Sequence, residues 1–177
     1  MSQLFSNDQN AMSRLVGPRV RTLSRALSVL IAVIVFVGDQ ATKALVESSI
    51  PEHTLIPIVP RFFNLTNTKN AGAAFGLFSD SPAPWKTALL IAISGALLLT
   101  VVGIVWRSRQ LQWETTVGLA LILGGALSNL FDRIRWGQVG DFLDFYFRGY
   151  HWPTFNLADS AIVVGAGFLV CQVIFAE

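Results

Sequence analysis

The sequence predicts an all-α membrane protein, four transmembrane helices with a small extracytoplasmic β-containing loop region. Three observations predict it. Hydrophobic residues make up 53% of the 177 positions and charged residues only 14%, against about 25% charged in soluble domains. Four apolar stretches approach the roughly 20 residues that a helix needs to cross a bilayer. Between them lie two longer polar segments, and one carries short β-prone pieces punctuated by proline. Helices are the expected spans because lipid offers no partner to an unpaired backbone group.

The elements follow in order. Residues 1–24 are rich in Ser, Asn, Gln and Arg and read as a cytoplasmic polar tail. Residues 25–176 then form a single four-helix membrane domain, with spans at about 25–45, 87–106, 115–133 and 157–176. The first span follows basic residues, as a signal peptide does. It runs straight into Gly38-Asp39-Gln40 with no small-x-small cleavage site, so an uncleaved helix is expected. In the first long connection, Thr54–Val59 and Phe62–Thr66 are expected to pair as a small sheet. The flexible Asn70-Ala71-Gly72-Ala73-Ala74-Phe75-Gly76 run follows, and Ser81-Pro82-Ala83-Pro84 breaks the chain before the second span. The second connection, 134–156, holds Trp136, Phe142, Phe145, Tyr146, Phe147, Tyr150, Trp152 and Phe155, side chains that favour a membrane interface.

Basic residues set the orientation. Arg14, Arg19, Arg21 and Arg25 precede the first span, and Arg107 and Arg109 fall in the short connection between spans two and three. Arg61, Lys69, Lys86, Arg135 and Arg148 are spread over the two long connections. The denser side is expected to be cytoplasmic, which puts both termini inside and both long connections outside. A net charge of +2 gives no argument for nucleic acid as a partner. The single cysteine, Cys171, lies in an apolar run and reads as an inert packing residue.

Carboxylates at the mouth of a membrane helix are costly to keep and invite a functional explanation. Asp141 and Asp159 flank the aromatic connection beside the last span, which has no further charge until its end. Helical spacing sorts the other polar groups. Asp39 and Lys43 share a face at the end of span one and can pair. Gly125, Asn129, Asp132 and Arg133 form one stripe at the end of span three, and Asn156 and Asp159 are three apart at the start of span four. With Asn70, all fall at the outer boundary, which points to one polar site. Simpler readings stand beside it: Asp39–Lys43 as a structural ion pair, Asp132–Arg133 as an interfacial pair, Asn156 as a helix cap, and Asp159 as a first-turn acid favoured by the helix dipole. Spacing leaves Asp141 and Asp144 equal as the reacting carboxylate of the connection.

Other chemistries find little support. His53 and His151 have no metal-binding spacing, so no metal or cofactor is expected. There is no Gly-x-Ser-x-Gly elbow, and neither Ser128 nor Ser160 has an evident base. Gly124-Gly125 lies inside a span and reads as close helix packing.

Taken together the motifs resemble the lipoprotein signal peptidase, or signal peptidase II, family. The pieces are Asp39-Gln40-x-x-Lys43, Asn70-x-Gly72-Ala73-Ala74-Phe75, Gly124-Gly125-Ala126-x-x-Asn129-x-x-Asp132-Arg133, Val139-x-Asp141-Phe142 and Phe155-Asn156-Leu157-Ala158-Asp159-Ser160. Gly140 departs from the pattern, where a bulkier aliphatic residue is common. The resemblance implies an aspartic endopeptidase of the bacterial cytoplasmic membrane. It would remove signal peptides from prolipoproteins that carry a diacylglyceryl group, cutting before the lipidated cysteine. The implied partners are those substrates, membrane lipid and the inhibitor globomycin.

Carried over by motif, Asp141 and Asp159 are the catalytic pair. Asn70, Gly72, Asn129, Arg133 and Asn156 position substrate or the dyad, and Asp39, Lys43 and Asp132 hold the site together. Two close carboxylates in a low-dielectric site would share one proton, the ionised one acting as base on water and the protonated one as acid. A small proton-coupled carrier is the alternative from another class, but the internal repeat and midplane charges typical of carriers are not seen. A structural membrane subunit would leave the one-sided clustering of polar groups as coincidence.

Overall fold

The computed structural model describes residues 18–72, 84–107 and 112–175. Most of the predicted tail, together with Ala73–Gly76, Ser81–Ala83 and Arg109, lies outside them. Eight elements follow in order: α1 (Pro18–Ser49), β1 (Leu55–Val59), β2 (Phe63–Asn70), α2 (Pro84–Arg107), α3 (Trp113–Trp136), β3 (Val139–Phe147), β4 (Tyr150–His151) and α4 (Leu157–Phe175).

All four helices are long and apolar enough to cross a membrane. α1 starts earlier than hydropathy suggests, at Pro18, inside the expected tail. Proline suits a first helical position because its missing N–H would have no partner there anyway. Pro51 follows the C-terminal end of α1, where the residue before a proline is driven out of helical geometry.

α3 is the central helix, packing most extensively against α4 and α1. Half of its span, 50%, is buried, against 22%, 17% and 17% for α1, α2 and α4. Close packing there depends on a missing side chain. A Cβ at Gly125 would lie 2.4 Å from the Ala158 carbonyl oxygen, so only glycine lets α3 approach the first turn of α4. The outward faces stay apolar, with Ile34, Val37, Leu99, Val164 and Val173 exposed, as lipid-facing surfaces require. Cys171 is on such a face. It is therefore not an interior packing residue, because the apolar run around it serves lipid rather than the core.

The strands form one antiparallel sheet in the order β1-β2-β3-β4. β1 and β2 come from the expected β-prone pieces. β3 and β4 come from the second connection, which had read as an aromatic loop. The reason is strand pairing: β3 is covered along its length by β2, and β4 turns back on it through Arg148 and Gly149, both with positive φ (50° and 85°). Positive φ at both central residues matches the right-handed twist of a two-residue hairpin. Phe142 is buried, and Phe145 packs on Phe63 and Phe155, so these two rings stabilise the sheet rather than sit at an interface.

The β2–β3 register carries a bulge. Leu65 pairs with Leu143 and Thr68 with Asp141, so β2 places two residues opposite the single Phe142. One of the two, Asn67, donates its side-chain amide to the Ile50 carbonyl at 2.9 Å, tying the bulge to the end of α1. At the far end of the bundle, Arg25 donates to the Trp106 carbonyl, so the start of α1 and the end of α2 lie together.

Candidate active site

Two sets of carboxylates meet where the ends of α1 and α3 and the start of α4 adjoin the sheet. The first set is ion-paired. Lys43 Nζ lies 2.6 Å from Asp39 Oδ2 and 2.6 Å from Asp132 Oδ2, and it donates to Asn129 Oδ1 at 3.2 Å. Ser128 and the Ala158 N–H satisfy Asp39, at 2.7 and 2.9 Å, and Gln40 donates to Asp132 Oδ1 at 2.7 Å. All of these side chains but Gln40 are almost fully buried. Burying charges is tolerable only when every one is paired and hydrogen-bonded, as here. The expected Asp39–Lys43 pair is present. Asp132 turns to Lys43 rather than to Arg133, because a neighbour in a helix points about 100° away while Lys43 faces it across the α1–α3 contact.

The second set is held by neutral amides. Asp141 Oδ1 accepts from Asn156 Nδ2 at 2.7 Å and Oδ2 from Asn70 Nδ2 at 2.9 Å. Asp159 Oδ1 accepts from Asn129 Nδ2 at 2.7 Å, and Oδ2 from the Asn156 N–H at 3.4 Å. Asn156 therefore touches both carboxylates. Its Nδ2 also reaches Asn129 Oδ1 at 3.2 Å, joining the two sets. Among the described residues, no basic side chain forms an ion pair with Asp141 or Asp159. Burial pushes the Asp141 carboxyl up to about 7 and the charge of Asp159 adds to the rise, while the Asn70 and Asn156 hydrogen bonds and the Lys43 charge oppose it.

The two faces of β3 decide which loop aspartate joins this set, and the bulge in β2 decides which asparagine each one meets. Asp141 and Asp144 are three apart in β3 and so face opposite sides of the sheet. Asp144 accepts from Asn64 Nδ2 at 2.6 Å and contacts His151 Nδ1 at 2.8 Å, on the side away from Asp159. In a regular strand Asn64 and Asn70, six residues apart, would share a face; the bulge absorbs one residue and puts them on opposite faces. With it, Asn64 serves Asp144 and Asn70 serves Asp141.

The glycine and arginine expectations also have definite places. Gly72 N–H donates to Asn70 Oδ1 at 2.9 Å, an Asx turn that orients the Asn70 amide. Arg133 donates to the Gly72 carbonyl at 3.1 Å and to the Asn129 carbonyl at 3.3 Å, tying that turn to α3. Gly140 sits within β3, and a Cβ there would meet Lys43 and Glu47 at ordinary distances, the nearest 3.7 Å. A small side chain would therefore fit at this position. A largely apolar cavity of about 540 Å³ opens at Asp159, bounded by Asn70, Trp152, Phe155, Ile162 and Val164.

Comparison with known proteins decides the family. The family model described as Signal peptidase (SPase) II matches residues 31–175. The chain belongs to the signal peptidase II family, whose members are aspartic peptidases. It is 42% identical over 144 residues to the lipoprotein signal peptidase of Solibacter usitatus, covering 81% of this chain and 88% of the relative. It is 44% identical over 146 residues to that of Desulforapulum autotrophicum, covering 82% and 90%. Two solved bacterial membrane enzymes share the fold: one at 32% identity with a TM-score of 0.75, covering 84% of this chain and 88% of that one, and one at 31% with 0.74, covering 86% and 95%.

In this signal peptidase II chain, Asp39, Lys43, Asn70, Asn129, Asp132, Arg133, Asp141, Asn156 and Asp159 fall in one connected network, and Asp144 stands apart from it. Gln40 and Ser128 belong to it too and were missed as support. Ser128 precedes Asn129 and lies four before Asp132, a spacing that would have found it; it was weighed only as a nucleophile.

Proposed function

We propose that Asp141 and Asp159 are the catalytic pair of a signal peptidase that cuts diacylglyceryl-modified prolipoproteins just before the lipidated cysteine. One observation carries this reading: these two carboxylates are bonded by neutral amides and share Asn156, whereas Asp39 and Asp132 are ion-paired to Lys43. Ion pairing fixes a carboxylate as an anion. Neutral donors in a buried site leave a pair free to hold one proton between them.

The ionised member takes a proton from water as its oxygen attacks the scissile carbonyl, and the protonated member donates to the carbonyl oxygen. The resulting tetrahedral diol collapses as the C–N bond breaks and a carboxyl proton passes to the departing amine. No covalent enzyme intermediate forms. Asn70, Asn129 and Asn156 orient the carboxylates, and Gly72 and Arg133 hold the Asn70 turn. Asp39, Lys43 and Asp132 form the rigid base.

The apolar cavity beside Asp159 suits substrate groups that remain in the bilayer. In this reading both termini are cytoplasmic, residues 1–24 are an accessory tail to the 25–176 domain, and the sheet and site lie at the extracytoplasmic boundary. Globomycin is expected to compete with precursor there.

The test is cleavage of a diacylated precursor by Asp141→Asn and Asp159→Asn enzymes in native membranes. Each is expected to lose at least ~1,000-fold in rate while retaining the melting behaviour of a folded protein. Full activity in either variant overturns the dyad. Sidedness is read by placing a thiol at Leu55 in a Cys171→Ser background, where labelling of intact cells by an impermeant reagent is expected.

A further inference from the structure

A second cavity, of about 400 Å³, lies on the other side of the strap Trp152–Thr154 from the one at Asp159. Its size falls within the usual range for ligand sites, about 300–1,000 Å³. His53, Leu55, Thr66, Asp144 and His151 line it. None of its lining residues belongs to a membrane span, whereas five residues of α4 line the first cavity. The two cavities thus differ in character, one facing the bundle and the other built entirely from the sheet module.

They share the strap Trp152–Thr154, which is tied to the backbone of Asp141. Thr154 borders both, and its hydroxyl lies 3.2 Å from that of Thr68, which donates to the backbone carbonyl of Asp141 at 3.1 Å. The sheet-side cleft is also rigidly built. Asp144, 2% exposed, is fixed by Asn64 and His151, and the His151 ring stacks on Tyr146 at 5.0 Å. His53 enters the cleft from a left-handed backbone position, φ 62°, unusual outside glycine.

A prolipoprotein has an apolar signal helix before the lipidated cysteine and acyl chains on the cysteine itself. Beyond the cysteine comes a hydrophilic chain that must leave the membrane. We propose that the sheet-side cleft binds the first residues of the mature lipoprotein after the lipidated cysteine, as an extended polar segment. The His53 and His151 imidazoles and the threonine hydroxyls supply the donors and acceptors that such a segment needs, Asp144 holds His151 in place, and Leu55 and Trp152 wall the cleft in. This inference rests on the peptidase reading and adds a specificity site to it. The cleft residues position substrate and take no part in bond cleavage.

The experiment compares two synthetic diacylated precursors with full-length enzyme in lipid–detergent micelles. One ends as an amide at the lipidated cysteine, and the other continues for several Ser, Asn and Gly residues. The wild type is expected to show a KM lower for the long precursor by about 5-fold, the worth of roughly one net hydrogen bond, with similar kcat. Leu55→Trp, which narrows the cleft from an exposed position, and His151→Gln are each expected to abolish that ratio. Equal KM for both precursors in the wild type overturns the inference alone, as does a ratio that neither variant changes. Failure to cut either precursor overturns the peptidase reading and this inference with it.

Discussion

Asn156 and Asp159 cap each other: the Asn156 Oδ1 accepts the Asp159 N–H at 2.9 Å, and Asp159 Oδ2 accepts the Asn156 N–H at 3.4 Å. This is the reciprocal arrangement of a capping box, which satisfies donors left over at a helix start. The Asn156 amide that remains donates to Asp141. One residue thus starts α4 and joins it to β3. Asn156→Asp keeps a capping oxygen but loses the amide donor and adds a third carboxylate. It is expected to melt within a few degrees of wild type yet lose at least ~100-fold in cleavage rate. Asn156→Ala is expected to lose activity and, in addition, about 1 kcal/mol of stability. Thermal unfolding and precursor cleavage, measured on the same preparations, separate the two effects.

Cleavage should fall on the alkaline side with an apparent pKa near 7, the value to which burial, chiefly, raises Asp141. Above it the pair loses its shared proton and with it the acid. The apparent value is a property of the pair. A rate that stays flat to pH 9 would sink the shared-proton mechanism.

Stability carries the same signature. The Asp141 carboxyl is raised from 3.8 to about 7 in the folded protein, so its contribution is present in full below the unfolded value. It is lost as pH rises through the folded one. Wild-type protein should therefore lose part of its melting temperature between about pH 4 and pH 7, and Asp141→Asn should lose less over that window. Melting curves in detergent at stepped pH measure the difference.

Lys43 lies between two buried carboxylates. Lys43→Met strands both, and breaking a buried ion pair from one side costs about 3–5 kcal/mol. The variant is expected to accumulate poorly and unfold early. A double replacement, Lys43→Met with Asp132→Asn, should recover part of that loss, because one stranded charge goes with it. Melting temperatures of the single and double variants decide it.

Two glycines near the site, Gly125 and Gly140, should behave oppositely. Gly125→Ala drives a methyl into the Ala158 carbonyl, 2.4 Å away. Overpacking of this kind costs about 1–3 kcal/mol and pushes the first turn of α4, with Asp159, off α3. Gly140→Ala meets Lys43 and Glu47 at ordinary contact distance and is expected to keep at least half of wild-type cleavage. The comparison needs only expression levels and an activity assay.

The sequence by itself determined the four helices, because a bilayer demands long apolar runs and a 19-residue stretch such as Leu157–Phe175 can satisfy it in no other way. It determined β1 and β2 through β-branched and aromatic residues, and the pairing of Asp39 with Lys43 through helical spacing. Motif resemblance pointed to Asp141 ahead of Asp144; spacing left them equal. β3 was invisible: its aromatics suit a strand and an interface equally, and only pairing with β2 makes the segment a strand. Tertiary structure decided the faces. One extra residue at the β2 bulge turns Asn70 toward Asp141 and leaves Asn64 to Asp144, since side chains alternate and a shift of one residue reverses them all. It also sorted the carboxylates by partner, Asp39 and Asp132 to an ammonium, Asp141 and Asp159 to amides. That distinction depends on which groups meet across three helices and a sheet, and no local pattern in the chain records it.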